Sequence, residues 1–291
     1  MLSFATVYDD VEIASIYDMQ AMHDICMSIE DYKQSLDASM EGTALLTVLD
    51  FFGRIFNSLM TTLTKFWKSV KRGELKKYYQ DHMATVNSIE SKNIDNPIFE
   101  TSIDIPSGMS CSYYEAIRFL EVVFDTIDLK PLLKTIRHIL NQFLTNVERE
   151  HDVTVQVGSF ASLMSSKKNY VLQTTEEMKK KFSGNTSPTR QFRDEFKSVG
   201  ELTNVRKKII EVEKTVEQVK SISDLESDIE KIITEIEHSK NTTIISQSAM
   251  SLADSASTLA KTVDLFGMGI MNLMAVAHNY TLIYSKLRKK L

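Results

Sequence analysis

Apolar side chains recur at alternating spacings of four and three along the last forty positions of the chain. They are Leu252, Ala256, Leu259, Val263, Phe266, Ile270, Leu273, Ala277, Tyr280, Tyr284, Leu287 and Leu291. A 3.5-residue period held that long puts one continuous seam on one long helix, and other helices must cover it. A second run repeats the same spacing: Leu45, Leu49, Phe52, Phe56, Leu59, Leu63, Phe66 and Val70. Leu46, Val48, Ile55, Met60 and Trp67 widen it into a broad apolar face.

Between these runs the pattern predicts further helices. Ser112 and Glu115 form a capping box that opens a helix with the stripe Tyr113, Ile117, Leu120, Phe124 and Ile127. The chain restarts at Asp128, with Pro131 tolerable in a first turn, and continues through Leu133, Ile136, Leu140, Phe143 and Val147. After the loop Ser183–Pro188, a stripe of Leu202, Val205, Ile209, Val212, Val216 and Val219 is bordered by Glu and Lys, as in a coiled coil. It slips at Ser221–Asp224 and resumes with Leu225, Ile229, Ile232 and Ile236, which fits either a stammer or a break into a second helix.

Two stretches read differently. Pro97 and Pro106 exclude a continuous helix, and Ile98–Ile105 partly alternates with β-branched residues. Val153–Val157 alternates strictly and runs into Gly158, which predicts a strand able to pair with the stretch around Ile103 and Ile105. The expected fold is therefore mainly α: an elongated multi-helix bundle with coiled-coil segments and a small two-stranded β ribbon. The organisation predicted is an acidic segment over 1–42 and a helical bundle over 43–183, with β-like inserts near 98–105 and 153–157. A coiled-coil arm and a long C-terminal bundle helix follow over 189–291.

Composition supports long helices, since 291 residues include only 9 Gly and 4 Pro. Cys26 and Cys111 have no metal or redox spacing, which fits a reducing interior or a particle better than a disulfide-stapled secreted domain. The N-terminus is acidic and lacks the apolar stretch of a signal peptide. A net charge of −5 argues against general coating of nucleic acid, and no specific nucleic-acid partner is expected. Residues 1–50 carry ten acids against the single base Lys33, whereas residues 51–90 carry seven bases against three acids. That asymmetry suits internal pairing of segments or an interaction tail.

No reaction centre is legible. His23, His82, His138, His151, His238 and His278 fall in different elements, and no phosphate loop, zinc pattern or nucleophile elbow occurs. The expectation is a non-enzymatic chain without metal or cofactor. One segment has a functional reading: Phe52, Phe56, Leu59, Leu63, Phe66 and Trp67 on one face, with Lys65, Lys68, Lys71 and Arg72 at its basic end. It fits a helix lying in a membrane interface, or a bundle helix whose basic end meets the acidic N-terminal segment. Leu265–Ser285 contains no Asp, Glu, Lys or Arg, yet the seam runs through it and Asn272, His278 and Asn279 interrupt it; this favours a buried bundle helix over a span.

The chain resembles the virion proteins of large tailed bacteriophages: helical, Met-rich, short of cysteine and without enzyme motifs. Some of those are trimmed after Glu in Ser-x-Glu or Ala-x-Glu. Here Ser39, Met40 and Glu41 followed by Gly42 match that rule where the acidic segment gives way to the amphipathic helix. Ser28–Glu30 and Ser88–Glu90 match the tripeptide too. The resemblance implies a structural virion component, made in the host cytoplasm, whose partners are other virion proteins or further copies of itself. The chain is similar, second, to helical pore-forming toxins, with Gly267–Ala277 as an apolar head element. That alternative implies a secreted or membrane-associated protein with a membrane surface as partner. A third reading is a coiled-coil scaffold that binds a partner protein through its 198–240 arm.

Overall fold

The computed structural model describes residues 74–106, 108–149, 151–182, 189–217 and 242–291. Their elements in chain order are α1 (Glu74–Asp81), α2 (Met83–Glu90), a 3-10 turn (Pro97–Phe99), β1 (Ser102–Asp104), α3 (Tyr113–Ile127) and α4 (Leu129–Glu148). There follow α5 (Thr154–Phe182), β2 (Thr189–Gln191), the short α6 (Phe192–Glu195), α7 (Val199–Glu217) and α8 (Thr242–Arg288). The fold is mainly α with one small antiparallel sheet. The described residues fall into two compact units, one built from 127–173 and 242–267, the other from 74–126, 174–217 and 268–291.

Helix α8 carries the C-terminal seam. Every seam position from Leu259 to Leu287 is buried, while Leu291 lies past the helix end and is 54% exposed. A neighbouring column is buried as well, at seven-residue intervals: Ser255, Thr262, Gly269, Val276 and Ile283. The inward face is thus three positions wide per two turns, as for a helix packed on several neighbours. Ser255 and Thr262 satisfy their hydroxyls on the main-chain carbonyls of Ser251 and Thr258, so the column stays small without leaving polar atoms unpaired. At Gly269 the backbone comes close to α3: a Cβ there would stand 3.0 Å from the Phe124 ring. Any larger residue would push Phe124 out of a filled core.

The first unit's helices follow their stripes. Leu133, Ile136, Leu140 and Phe143 of α4 are buried, and Asp128 bridges α3 and α4 with a left-handed φ of 34°, which Asp tolerates better than most residues. Helix α5 corrects the sequence reading. The segment 153–157 is not a strand but the first turn and approach of a 29-residue helix. Asp152 caps it, its carboxylate accepting the Thr154 N–H at 2.8 Å and the Thr154 hydroxyl at 2.5 Å. Val153 and Val157 are buried one helical turn apart, whereas Val155 is 71% exposed. Alternating valines therefore serve a helix here, because i and i+4 share a face. Val157, Phe160, Met164 and Val171 continue that face.

In the second unit the predicted β stretch near 98–105 does form β1, but its partner is β2. Ser102 pairs with Gln191, Ile103 with Arg190 and Asp104 with Thr189. Asn96 caps the preceding 3-10 turn by accepting the Ile98 N–H at 3.1 Å. Gly108, at φ 82°, closes the reversal in which the Met109 N–H reaches the Pro106 carbonyl at 3.0 Å. The Ser112–Glu115 capping box forms as predicted, with reciprocal bonds of 3.1 and 3.2 Å. Beyond it α3 buries Tyr113, Ile117, Leu120, Phe124 and Ile127, and α7 buries Leu202, Val205, Ile209 and Val212. Val216, Val219 and the run from Leu225 to Ile236 lie outside the described side chains.

Candidate functional site

The second unit holds the densest chemistry among the described residues. Its centre is Glu90, the last residue of α2. Arg206 of α7 grips the Glu90 carboxylate with two parallel bonds, Nε to Oε1 at 3.0 Å and Nη2 to Oε2 at 3.2 Å. Tyr284 of α8 donates its hydroxyl to the same Oε1 at 2.5 Å. Both charged side chains are only 13% exposed, so the pair is largely desolvated and holds only because its lone pairs and protons are used. Three helices far apart in sequence meet on one carboxylate.

Tyr280 sits one turn before Tyr284 and donates to the Leu202 carbonyl of α7. Its own oxygen lies 3.5 Å from that of Tyr284. Tyr79 of α1 packs edge-on to Tyr284, with the Arg206 guanidinium 5.7 Å from its ring centre. The Tyr79 hydroxyl is buried and has no hydrogen-bond partner among the described residues. These environments hold all three phenols protonated. Burial first, then the neighbouring Tyr284, pushes Tyr79 and Tyr280 far above the ordinary phenol range. Burial and the Glu90 carboxylate do the same to Tyr284.

A second buried carboxylate lies at the start of α3. Glu195 of α6, its side chain 1% exposed, accepts the backbone N–H of Tyr113 and the Arg190 Nη1 at 2.9 Å. An anion at a helix N-terminus meets unpaired N–H groups and the positive end of the helix dipole. Arg190 also reaches the Cys111 carbonyl at 3.3 Å, and the Tyr113 hydroxyl donates to the Asp104 carbonyl at 2.6 Å. Lys286 near the end of α8 pairs with the Asp104 carboxylate at 2.8 Å. The Cys111 thiol is pushed up by burial, partly opposed by Lys181. An unactivated thiol of that kind suits packing more than nucleophilic chemistry.

What this arrangement can do is tie helices together, with Glu90 accepting hydrogen bonds from a guanidinium and a phenol at once. Sequence reasoning missed Glu90, Arg206, Glu195 and Arg190 because each is an ordinary charge in its own element. Their signal is spatial, across separations of 116 residues for Glu90 and Arg206 and 194 for Glu90 and Tyr284. Tyr280 and Tyr284, predicted as seam residues, do face inward, but as hydrogen-bond donors too. The proposed membrane or partner face (Phe52, Phe56, Leu59, Leu63, Lys65, Phe66, Trp67, Lys68, Lys71, Arg72) lies outside the described residues. So do the processing candidate Ser39–Gly42 and the Leu252 side chain. Of the histidines, His138 and His151 are exposed, and His82 and His278 half-buried. Among the described residues no three His, Cys, Asp or Glu side chains gather as metal ligands would. The chain matches no protein-family model, no curated protein and no solved structure.

Proposed function

We propose that this chain is a non-enzymatic structural component of a bacteriophage particle, working through helix–helix packing with other virion proteins or copies of itself. The observation that carries the packing role is the use of its buried charges. Glu90 and Glu195 are each spent on joining separate elements, Glu90 linking α2, α7 and α8, and Glu195 linking α6, β2 and the start of α3. Polar groups used this way specify one arrangement of helices and leave a rigid block. The particle assignment draws on the sequence at Ser39–Gly42, a Ser-x-Glu tripeptide where an acidic stretch gives way to an amphipathic pattern, with a virion as the place of residence. Mass spectrometry of purified particles is the test: the chain is expected at a fixed copy number per particle. Absence from gradient-purified particles removes the reading.

The competing reading, a membrane-active helical protein, draws on Ser257–Arg288, which is long and apolar enough to cross a membrane. In its most apolar window 53% of residues are buried inside the protein, which favours a core helix. Flotation with anionic liposomes separates the two: a structural component stays at the bottom of the gradient, and co-flotation supports the membrane reading.

A further inference from the structure

Five of the ten tyrosines form one unbroken line of ring contacts in the second unit. Tyr78, Tyr79, Tyr284, Tyr280 and Tyr113 follow one another with ring centres 5.7, 6.0, 5.5 and 6.2 Å apart, every step edge-to-face. Three helices supply them: α1, α8 and α3. Filling space does not require phenols, since phenylalanine occupies nearly the same volume and needs no hydroxyl stripped of water. Tyr79 even keeps a buried hydroxyl with no hydrogen-bond partner among the described residues.

The hydroxyls differ in what they face. Those of Tyr280 and Tyr113 point at main-chain carbonyls, of Leu202 and Asp104. Among the described residues, Tyr284 is the member of the line whose hydroxyl donates a hydrogen bond to a carboxylate, at 2.5 Å. Removing an electron from a phenol makes its O–H strongly acidic, so the oxidation goes easily only where a base is within hydrogen-bond reach. An amide carbonyl is a very poor base; a carboxylate is an adequate one. We infer that this line conducts one-electron oxidising equivalents, and that Tyr284 is where the radical comes to rest.

This is a redox role separate from the packing role proposed above. Entry is at Tyr78, which is only half-buried and lies against the His82 ring, 4.7 Å centre to centre. A strong one-electron oxidant, such as an oxygen-centred radical, takes an electron from Tyr78 and is itself reduced, and the Tyr78 proton goes to the reduced oxidant or to water. An electron from Tyr284 then crosses through the Tyr79 ring to Tyr78, which takes a proton back; Tyr79, with no acceptor for its own proton among the described residues, holds no radical on the way. At Tyr284 the phenolic proton crosses to Glu90 Oε1, leaving a neutral tyrosyl radical and a neutral carboxyl group. The second oxygen of Glu90 keeps its bond from Arg206 Nη2, so the acceptor stays in place. A thiol or ascorbate-type reductant then returns one electron, and the proton moves back.

The test uses the full chain with photogenerated ruthenium(III) tris-bipyridine as oxidant, followed by rapid freezing and electron paramagnetic resonance. A single tyrosyl signal from one ring conformer is expected. Tyr284→Phe abolishes or replaces that signal. Glu90→Gln keeps the volume but not the base and lowers the yield at least tenfold. Tyr78→Phe removes only the hydroxyl of a half-buried residue and slows radical formation at least tenfold. That variant keeps the test decisive if circular dichroism shows that Glu90→Gln does not fold. An unchanged signal in Tyr284→Phe, or an unchanged rate in Tyr78→Phe, places the oxidation on other tyrosines and overturns the inference.

Discussion

Tyr284 and Glu90, 194 positions apart, share a 2.5 Å hydrogen bond in which the phenol donates to a carboxylate already gripped by Arg206. The bond fixes where α8 sits along α2 and α7. A seam of similar apolar side chains repeats every seven residues, and apolar contacts alone discriminate poorly between registers related by one repeat. A buried charged pair with a single matching donor excludes the shifted registers, since each would leave the carboxylate short of a partner.

Glu90→Ala is therefore expected to lower the stability of the second unit by about 3–5 kcal/mol, because it leaves Arg206 largely buried without its counter-charge. Arg206→Ala should cost a similar amount. The double variant should cost less than the sum of the two, with a coupling of about 1–3 kcal/mol. Denaturant unfolding of the four proteins measures this, and additivity within error would show that the pair is not a unit.

Two glycines of α8, two residues apart, should respond oppositely to alanine. At Gly267 a Cβ meets nothing within 4 Å, so Gly267→Ala is expected to stabilise by about 1 kcal/mol through helix propensity. At Gly269 the same gain is outweighed, because the Cβ lands 3.0 Å from the Phe124 ring and overpacking costs about 1–3 kcal/mol. Shrinking Phe124 to Leu in the Gly269→Ala background should recover part of the loss. Thermal melts of the set decide whether close approach to Phe124 is why a glycine stands at 269.

Much of the helical framework was legible because apolar spacing and caps are local signals. The Tyr113–Ile127 and Leu202–Val212 stripes and the Ser112–Glu115 box could be read directly, and so could the α8 seam from Leu259 to Leu287. The third column of α8 was not, because Ser255, Thr262 and Gly269 do not look like core residues; they are inside through small size and self-satisfied hydroxyls. The Val153–Val157 error has a definite cause. Five alternating residues satisfy both a strand's period of two and a helix's four-residue repeat at their ends, and the Asp152 cap tips the balance towards helix. The β ribbon was foreseen, but β1 pairs with a three-residue strand, β2, too short to show a period. Glu90 and Glu195 lay beyond any sequence pattern, since a charge reveals its partner only once the chain has folded.

The Asp152 cap gives a pH signature. Hydrogen bonds from the Thr154 hydroxyl and then the Thr154 N–H favour the ionised carboxylate and lower its pKa below the ordinary aspartate value. A group lowered in the folded state adds stability that is present above its unfolded value, near 3.8, and is lost as the pH falls through the lower folded value. The start of α5 should thus hold at neutral pH and loosen only in strong acid. Carboxyl chemical shifts should place the Asp152 midpoint below that of exposed aspartates, and Thr154→Val should move it back up. A midpoint that ignores Thr154 would show that the cap does not form in solution.

Glu90 also bears on trimming, because Ser88-Ile89-Glu90 is one of three Ser-x-Glu tripeptides. A glutamyl endopeptidase must draw several residues into its cleft in extended form. At this site Ile89 is fully buried, α2 is helical up to Glu90, and the carboxylate is occupied by Arg206 and Tyr284. Cleavage after Glu90 should accordingly require opening of the second unit, at a rate set by how often that happens. Brief digestion of the native chain is expected to give no fragment beginning at Ser91, while Arg206→Ala should release that fragment as its opening becomes cheaper. Peptide mapping over time reads both. Early appearance of a Ser91 fragment from the native chain would mean that the Glu90 clamp opens readily in solution.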